Sequence, residues 1–556
     1  MFQLVRDIEV FDKISVNPSL PLFCDTETCE EEGLSSGGLY GKIRLVQIYQ
    51  EEWENAILFD CFFIPLEKVL NLIKPCKLVF HNGAYDLHTI NLKTKTTWLP
   101  KNVDDTLYLS RLQYFTKQKF GFYDCLEYAG LADKLIKSIN KKEEQKSDWG
   151  KPLSKQQKTY AAADVIYLHL LYNKVKSKAK TTVYQLDIQN LKHAINYSRN
   201  GMPVNQKTVL EYKKKYMNRM EDLLEKLPVN PNSPKQCCEY LGTSSSNIEV
   251  LTEMMYDGNQ RAKDIHDARH CSKSLTFLNT YDRPFIKGFF QPCAAISGRF
   301  SCTGGHSYSH ANLQQMPEKL HGVIEAPKGK VIIYKDYSGL ELRMAVAYTG
   351  EPMMGALMRS GKDMHTETAK FIFNKEEISD LERTMTKVFN FSLIYGSGIK
   401  TVQATIYKWT GKRMPFGEVK SLISKWFDMY DYFDQWHTMH KNQLNIYGYV
   451  DIETALGRHI RTYKLTDSLN FPIQGSSVEV QKTGLGLLFN RYPDVHLINT
   501  IHDSNILLAN EDEAEKWGNR LSECMVEAWH YVIQDLADPE IPMPHGFDSG
   551  PVWIFH

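Results

Sequence analysis

The chain has 556 residues with 66 basic and 66 acidic side chains, so its formal charge is zero. Hydrophobic residues make up 42 % and charged residues 24 %, an ordinary globular balance that excludes a disordered or fibrous protein. That length calls for several domains rather than one core. A neutral total neither favours nor excludes a nucleic-acid partner, because carboxylate clusters can offset a basic groove.

The first segments read as short strands. Residues 20–24, 43–49, 56–59 and 77–80 are apolar runs bounded by polar and turn residues, the pattern of buried strands. Residues 160–175 read as a helix, and the Lys-, Ser- and Gln-rich stretch 134–158 as a solvated loop or frayed helix. The mixture predicts an N-terminal α/β domain. A long amphipathic helix follows, with Asn205 as its N-cap and Val209, Leu210, Tyr216, Met217, Met220, Leu223 and Leu224 as its apolar face, halted by Pro228. Residues 230–242 are turn-rich and suit the tip of a helical hairpin. Residues 297–310 form an irregular Gly-, Ser- and His-rich loop. A strand at 331–334 runs into Asp336, helical patterns fill 363–447, and an apolar hairpin spans 495–508 with His502 and Asp503 at its turn. A helix and a short tail end the chain.

No apolar run is long enough for a signal peptide or a membrane span. The eleven cysteines are scattered, with no Cys-x-x-Cys pair, which reads as free thiols in a reducing compartment, the cytoplasm.

Three groups of residues carry chemistry. Asp25 and Glu27 stand two apart at the end of a strand, so they share a face. With Asp86 in NGAYD and with Tyr160 and Asp164 one helical turn apart, they offer four carboxylates and a phenol. Such a set can hold two divalent cations and orient a water for attack on a phosphodiester. Asp336 and Asp503 each end an apolar strand. Either alone reads most simply as a turn residue, but side by side they would present carboxylates to a shared pair of metals. Finally, Arg383, Lys387, Phe391 and Tyr395 recur at every fourth position, which on a helix makes one stripe. Two cations followed by two rings suit a ligand with a polyanionic end and a flat end, such as a nucleoside triphosphate.

These segments resemble a known family. DTE, NGAYD and YAAAD are similar to the three motifs of the proofreading exonuclease domain, a ribonuclease-H-like fold. DYSGLELR from Asp336, RTMTKVFNFSLIYG from Arg383 and IHDS from Ile501 resemble the palm and fingers motifs of family A DNA polymerases, the polymerase-I-like group. SGRFSCT, NLQQMP, GYV, GR and NFPIQG also fall in family order.

The resemblance implies a multidomain α/β plus α+β chain: an exonuclease domain at 1–182, then a right-hand polymerase domain at 183–556. Within the latter the thumb would occupy about 190–295, the palm about 296–355 and 445–556, and the fingers about 356–444. It implies template-directed DNA synthesis with 3′-5′ proofreading, on primer–template DNA and deoxynucleoside triphosphates. Each site would use two Mg2+ ions, with Mn2+ as a substitute. The chain would act as a monomer, with any processivity factor unspecified.

By the same resemblance Asp336 and Asp503 would bind the polymerase metals, and Asp25, Glu27, Asp86 and Asp164 the exonuclease metals, with Tyr160 beside the attacking water. Arg383, Lys387 and His365 would hold the triphosphate. Phe391 would pack on the nucleotide and Tyr395 would border the nascent base pair. Glu341 would exclude a ribose hydroxyl. Arg299, Asn470, Gln474 and His502 would lie against the DNA near the primer end.

The sequence departs from the family pattern at four positions. Ser504 stands where a Glu is usual, Gly339 where a Gln is, and Thr384 and Thr466 where an Arg is. The absence of a flap-cutting nuclease segment before Asp25 suggests a phage or plasmid enzyme. A single-subunit RNA polymerase shares the palm, but Glu341 and the exonuclease motifs speak against it. A DNA-binding or exonuclease-only protein with an inactive palm is the third reading, and primer lengthening separates it from the first.

Overall fold

The computed structural model describes residues 1–30, 41–133, 136, 139–304 and 310–554. Part of the Lys-rich stretch 134–158 and residues 305–309 of the Gly/His-rich loop therefore lie outside the described residues. The chain divides into two compact units: Met1–Asn200 with Lys287–Asn312 and Leu456–Arg461, and Gly201–Ile286 with Leu313–Ala455 and Thr462–His556.

The first unit is built on a six-stranded sheet. Its strands are β1 (Phe2–Val5), β2 (Pro21–Cys29), β3 (Lys42–Tyr49), β4 (Ala56–Asp60), β5 (Lys77–Phe80) and β6 (Asn102–Asp105), in the order β1-β4-β3-β2-β5-β6. The hairpin strands β2, β3 and β4 pair antiparallel, whereas β1, β5 and β6 join in parallel. Continuous apolar runs form the middle: all five residues of β4 are buried, as are six of the eight in β3. Strands covered on both faces read as unbroken hydrophobic runs rather than alternating ones. Helix α1 (Gly83–Lys93) follows β5 directly. Helix α2 (Lys155–Val175) packs on β2, β3 and β4. Its start is fixed by a capping box between Ser154 and Gln157. Ala161, Ala162 and Ala163 are fully buried, small enough to bring its backbone close to the sheet.

The second unit begins with α3 (Gln206–Leu224), capped by Asn205 through the backbone of Lys207 and Thr208. It pairs with α6 (Gln260–Thr280). Two shorter helices, α4 (Pro234–Leu241) and α5 (Ile248–Tyr256), occupy the far end of that hairpin. The turn-rich reading of 230–242 thus contains a helix. Pro234 sits at its first position and Gly242 ends it in the left-handed region, the usual asymmetry of helix ends.

A four-stranded antiparallel sheet anchors the rest. It consists of β7 (Lys330–Asp336), β8 (Leu497–Ile501), β9 (Ser504–Asn510) and β10 (Asp548–Gly550), in the order β8-β9-β7-β10. Between β7 and β8 run α7 (Leu340–Thr349), α8 (Met364–Phe373), α9 (Asp380–Ile394), α10 (Ile399–Thr410), α11 (Phe416–Met429), α12 (Asp431–Tyr447) and α13 (Leu465–Arg491). Helix α14 (Ala514–Ile533) packs along α13 and on β7. All eleven cysteines are free thiols. No helix among the described residues is long and apolar enough to cross a membrane.

Candidate active sites

In the first unit, β2 buries its apolar start and leaves its acidic end half-exposed. Asp25 faces Gln47 across the β2–β3 pair and accepts a hydrogen bond from its Nε2 at 2.7 Å. The register slips between Glu27 and Thr28, a bulge of the kind that re-aims side chains beside functional sites. Asp164 reaches the same place from the middle of α2. Ligand oxygens of Asp25, Glu27 and Asp164 lie within 4.8 Å of one another. Asp86 stands apart from that trio. It is buried in the first turn of α1, where its Oδ1 accepts from Thr26 Oγ1 at 2.7 Å.

The glycine of NGAYD has a steric reason: a Cβ at Gly83 would sit 2.7 Å from the Cβ of Phe80. Asp105, at the end of β6, accepts from the backbone N–H groups of Asn82 and Gly83 at 3.1 and 2.8 Å. It thereby caps α1 in place of an Asn82 side chain that makes no cap bond. Burial pushes the Asp105 carboxyl up to about 6. Nothing in its NVDD segment marked it as a cap.

The crowding has an electrostatic signature. Burial, then the fields of Asp25, Asp164, Asp86 and Glu144, push the Glu27 carboxyl well above its usual range. Burial and Asp25 do the same to Asp86, with the Thr26 bond opposing. The Tyr160 phenol is raised by burial and by Asp164, Glu27 and Asp25, and Tyr123 is raised by the same causes. Tyr123 and Glu144 were not foreseen, because neither belongs to a motif. A cavity of about 1110 Å³ opens over this group, lined by Asp25, Glu27, Asp86, Tyr160, Asp164 and Tyr123 among others.

In the second unit the decisive feature is strand register. Asp336, the last residue of β7, is paired with Ser504, the first of β9. Ile501 pairs with Ser504, so His502 and Asp503 are a two-residue hairpin turn. The Tyr337 N–H donates to the Asp503 carbonyl at 3.1 Å. Asp336 and Asp503 therefore sit at adjoining strand ends. His502 has φ +50, the left-handed conformation that two-residue hairpins demand and that non-glycine residues adopt at a cost. Burial raises the Asp336 carboxyl, and the field of Asp548 adds to it. Asp548 lies opposite Tyr334 on β10 and went unnoticed in the sequence because it stands in a short tail strand.

Helix α9 carries the stripe. It is started by a Ser379–Glu382 capping box. Arg383, Lys387 and Phe391 are half-buried on it, and Tyr395 is its C-cap, just beyond the helical residues. Tyr395 Oη donates to Glu341 Oε2 at 2.6 Å, joining the end of α9 to the first turn of α7. His365 is held by Asn390, whose Nδ2 lies 2.9 Å from its Nδ1. Asn390 Oδ1 accepts from Trp426 Nε1 at 2.7 Å, so its amide points its N–H at His365. Burial lowers His365 to about 4, which leaves it a neutral ring with Nε2–H as its donor. Asn390 was missed, yet a polar residue on the buried side of an amphipathic helix is a signal a sequence can give.

Asn470 and Gln474 are half-buried one turn apart on α13. Arg299 belongs to the first unit rather than the second. Gly339 precedes α7 at φ +62, a conformation that a Gln would occupy only with strain.

Residues 206–554 match DNA polymerase family A, and residues 16–180 match a 3′-5′ exonuclease family. The chain belongs to DNA polymerase family A. It is a DNA-directed DNA polymerase with a 3′-5′ exonuclease domain, and its function is template-directed DNA synthesis.

Among its relatives is DNA polymerase I of Aquifex aeolicus, 26 % identical over 93 % of both chains. The thermostable DNA polymerase I of Thermus thermophilus is 26 % identical over 52 % of this chain but only 36 % of its own length. The Thermus aquaticus enzyme is 25 % identical over the same shares. This chain thus spans nearly the whole Aquifex protein and about a third of the Thermus ones. A solved structure, the POL domain of Pol1 from M. smegmatis in complex with DNA primer-template and dNTP, shares the fold. Its TM-score is 0.74 at 15 % identity, covering 96 % of this chain and 95 % of that one. These relatives are bacterial, so the expectation of a phage source finds no support among them.

Proposed function

We propose that the chain holds two separate metal-dependent centres, one that lengthens a primer strand and one that trims it. The observation that carries this reading is the register of β7 on β9. It places Asp336 and Asp503, far apart in sequence, at adjoining strand ends. The trio of Asp25, Glu27 and Asp164 supports the second centre.

Both sets offer carboxylate oxygens alone, the donors that hard divalent cations prefer. In the trimming centre the crowded carboxyls repel one another, and a cation would relieve that repulsion. Mg2+ fits such donors, with Mn2+ as a substitute. Two ions at each centre would lower the pKa of the attacking hydroxyl or water and neutralise charge on the leaving oxygen.

The chain's own groups do the rest. Arg383 and Lys387 would neutralise the triphosphate, and His365 would donate one hydrogen bond to it from Nε2. Phe391 would stack on the incoming nucleotide. The Tyr395–Glu341 pair would form the floor beneath its sugar. Asn470, Gln474 and His502 would contact the DNA near the primer end. In the trimming centre Tyr160 would position the attacking water, while Asp86, fixed by Thr26 and lining the same cavity, would add its negative field to the ion site. We assign the trimming domain to about 1–182 and the polymerase domain to about 183–556, with 183–200, 287–312 and 456–461 of the latter clustering with the first unit. We infer a monomer acting in the cytoplasm.

The test is Asp503→Asn assayed on a primer–template with Mg2+, with and without deoxynucleotides. Extension is lost and primer shortening persists. Loss of both activities would contradict two separate centres.

A further inference from the structure

Both cations assigned above to the triphosphate already have partners within the second unit. Arg383 turns its guanidinium fork onto Asp363, with Nε to Oδ1 at 3.0 Å and Nη2 to Oδ2 at 2.7 Å. Asp363 is anchored, because it is the N-cap of α8: its Oδ1 accepts from Thr366 N at 2.8 Å and Thr366 Oγ1 at 2.6 Å. Lys387, one turn along α9, lies over the Trp409 ring of α10, with Nζ 5.5 Å from the ring centre. Trp409 is 54 % exposed. The two partners come from different elements, the N-cap of α8 and the body of α10, and each offers the kind of negative surface that a phosphate would replace.

We propose that Asp363 and Trp409 are resting partners that a nucleotide must displace, and that they make α9 selective for a triphosphate over a monophosphate. The proposal rests on the phosphate-binding role given to Arg383 and Lys387. The Arg383–Asp363 pair is a two-bond fork, but it is half-exposed on both sides, so a phosphate can reach Arg383 from solvent and offer it the same bidentate geometry in exchange. An anion that reaches only one cation swaps one contact for a similar one and still bears the cost of ordering itself. A triphosphate long enough to meet both cations makes its second exchange intramolecular, which favours it. Asp363 and Trp409 are thus positioning residues that set the threshold of charge and length a ligand must pass.

Asp363→Asn removes the charge and keeps the helix cap, since Asn caps as well as Asp. The full chain with primer–template would be titrated with a deoxynucleoside triphosphate and with the corresponding monophosphate, at low and at high salt. We expect Asp363→Asn to tighten triphosphate binding and lower KM by about two- to fivefold at low salt, with kcat moving less than KM. The preference for triphosphate over monophosphate narrows, and the gap to wild type shrinks at high salt because exposed pairs are screened. Trp409→Leu moves affinity in the same direction through Lys387. Weaker or unchanged triphosphate binding in both variants, or a gap that ignores salt, overturns the proposal. A double Arg383→Ala, Lys387→Ala variant separates the two levels: if it binds the triphosphate as wild type does, the phosphate-binding role itself is wrong.

Discussion

The Tyr395–Glu341 hydrogen bond gives the sharpest prediction. Its 2.6 Å length and half-buried setting make it a charge-assisted bond of the stronger kind. A hydrogen bond to a charged group contributes about 1.5–3 kcal/mol. If this pair is the floor beneath the incoming sugar, a 2′-hydroxyl must prise it apart or collide with it, whereas a deoxyribose leaves it intact. At about 1.4 kcal/mol per factor of ten, the pair would supply roughly 10- to 100-fold of discrimination against ribonucleotides. Glu341→Ala should return that factor. Tyr395→Phe should return less, because it deletes the bond but keeps the carboxylate in the way. The assay is single-nucleotide incorporation of a deoxy- and a ribonucleoside triphosphate of one base, compared as kcat/KM. It should be run in an Asp25→Ala, Glu27→Ala background so that trimming does not mask misincorporation. Since both side chains act through one bond, the double variant should be no more permissive than Glu341→Ala alone. An unchanged sugar ratio in Glu341→Ala, or strictly additive effects in the double variant, would refute the reasoning.

The remaining predictions concern the first unit. Asp25→Ala with Glu27→Ala should abolish single-strand digestion and spare primer extension, measured on labelled oligonucleotides; undiminished digestion would move the site elsewhere. The raised Glu27 carboxyl has a consequence for stability. The folded chain keeps a proton on Glu27 that the unfolded chain releases, so Glu27's own contribution to metal-free stability is greatest below the unfolded carboxylate range. It falls as pH rises from the unfolded carboxylate range toward the folded value. Glu27→Gln should flatten that slope and raise the metal-free melting temperature near neutrality, by about 2–4 °C per kcal/mol relieved, and melting curves in chelator across pH would check it. Arg458 and Asp187 form a 2.8 Å ion pair with almost no exposure on either side. Asp187→Ala strands the guanidinium and should cost about 3–5 kcal/mol, read as early melting of the first unit and loss of trimming activity.

How much of the fold the sequence showed follows from what holds each element. Strands β3, β4 and β5 were legible to within a residue because each is an apolar run closed by turn residues. Strand β6 was not: NVDD carries no strand signal, and only its pairing with β5 makes it one. Helix α13 escaped notice for the opposite reason. It is buried on nearly every side from Ser468 to Phe489, so no polar stripe marks its period, and Pro472, Gly475, Gly484 and Gly486 read as breakers. The structure gives one of those glycines its cause, since a Cβ at Gly484 would fall 2.6 Å from Tyr337 Oη.

For the candidate sites, spacing along one element was readable and partnership between elements was not. Asp25 and Glu27 share a face because strand geometry puts i and i+2 together, and Arg383 and Lys387 share a stripe because helix geometry puts i and i+4 together. Neither spacing says what stands opposite. Asp336 and Asp503 each looked like a turn residue, and Asp503 is one; only the register of β7 on β9 gives the pair a common end. Arg383 and Lys387 make the same point more strongly. They lie one turn apart on one helix face, yet the first meets a carboxylate from α8 and the second an indole from α10. A stripe of charge fixes which ligand can approach. The neighbours that hold the charges beforehand fix what that ligand must displace, and those neighbours are set by tertiary packing that no local pattern encodes.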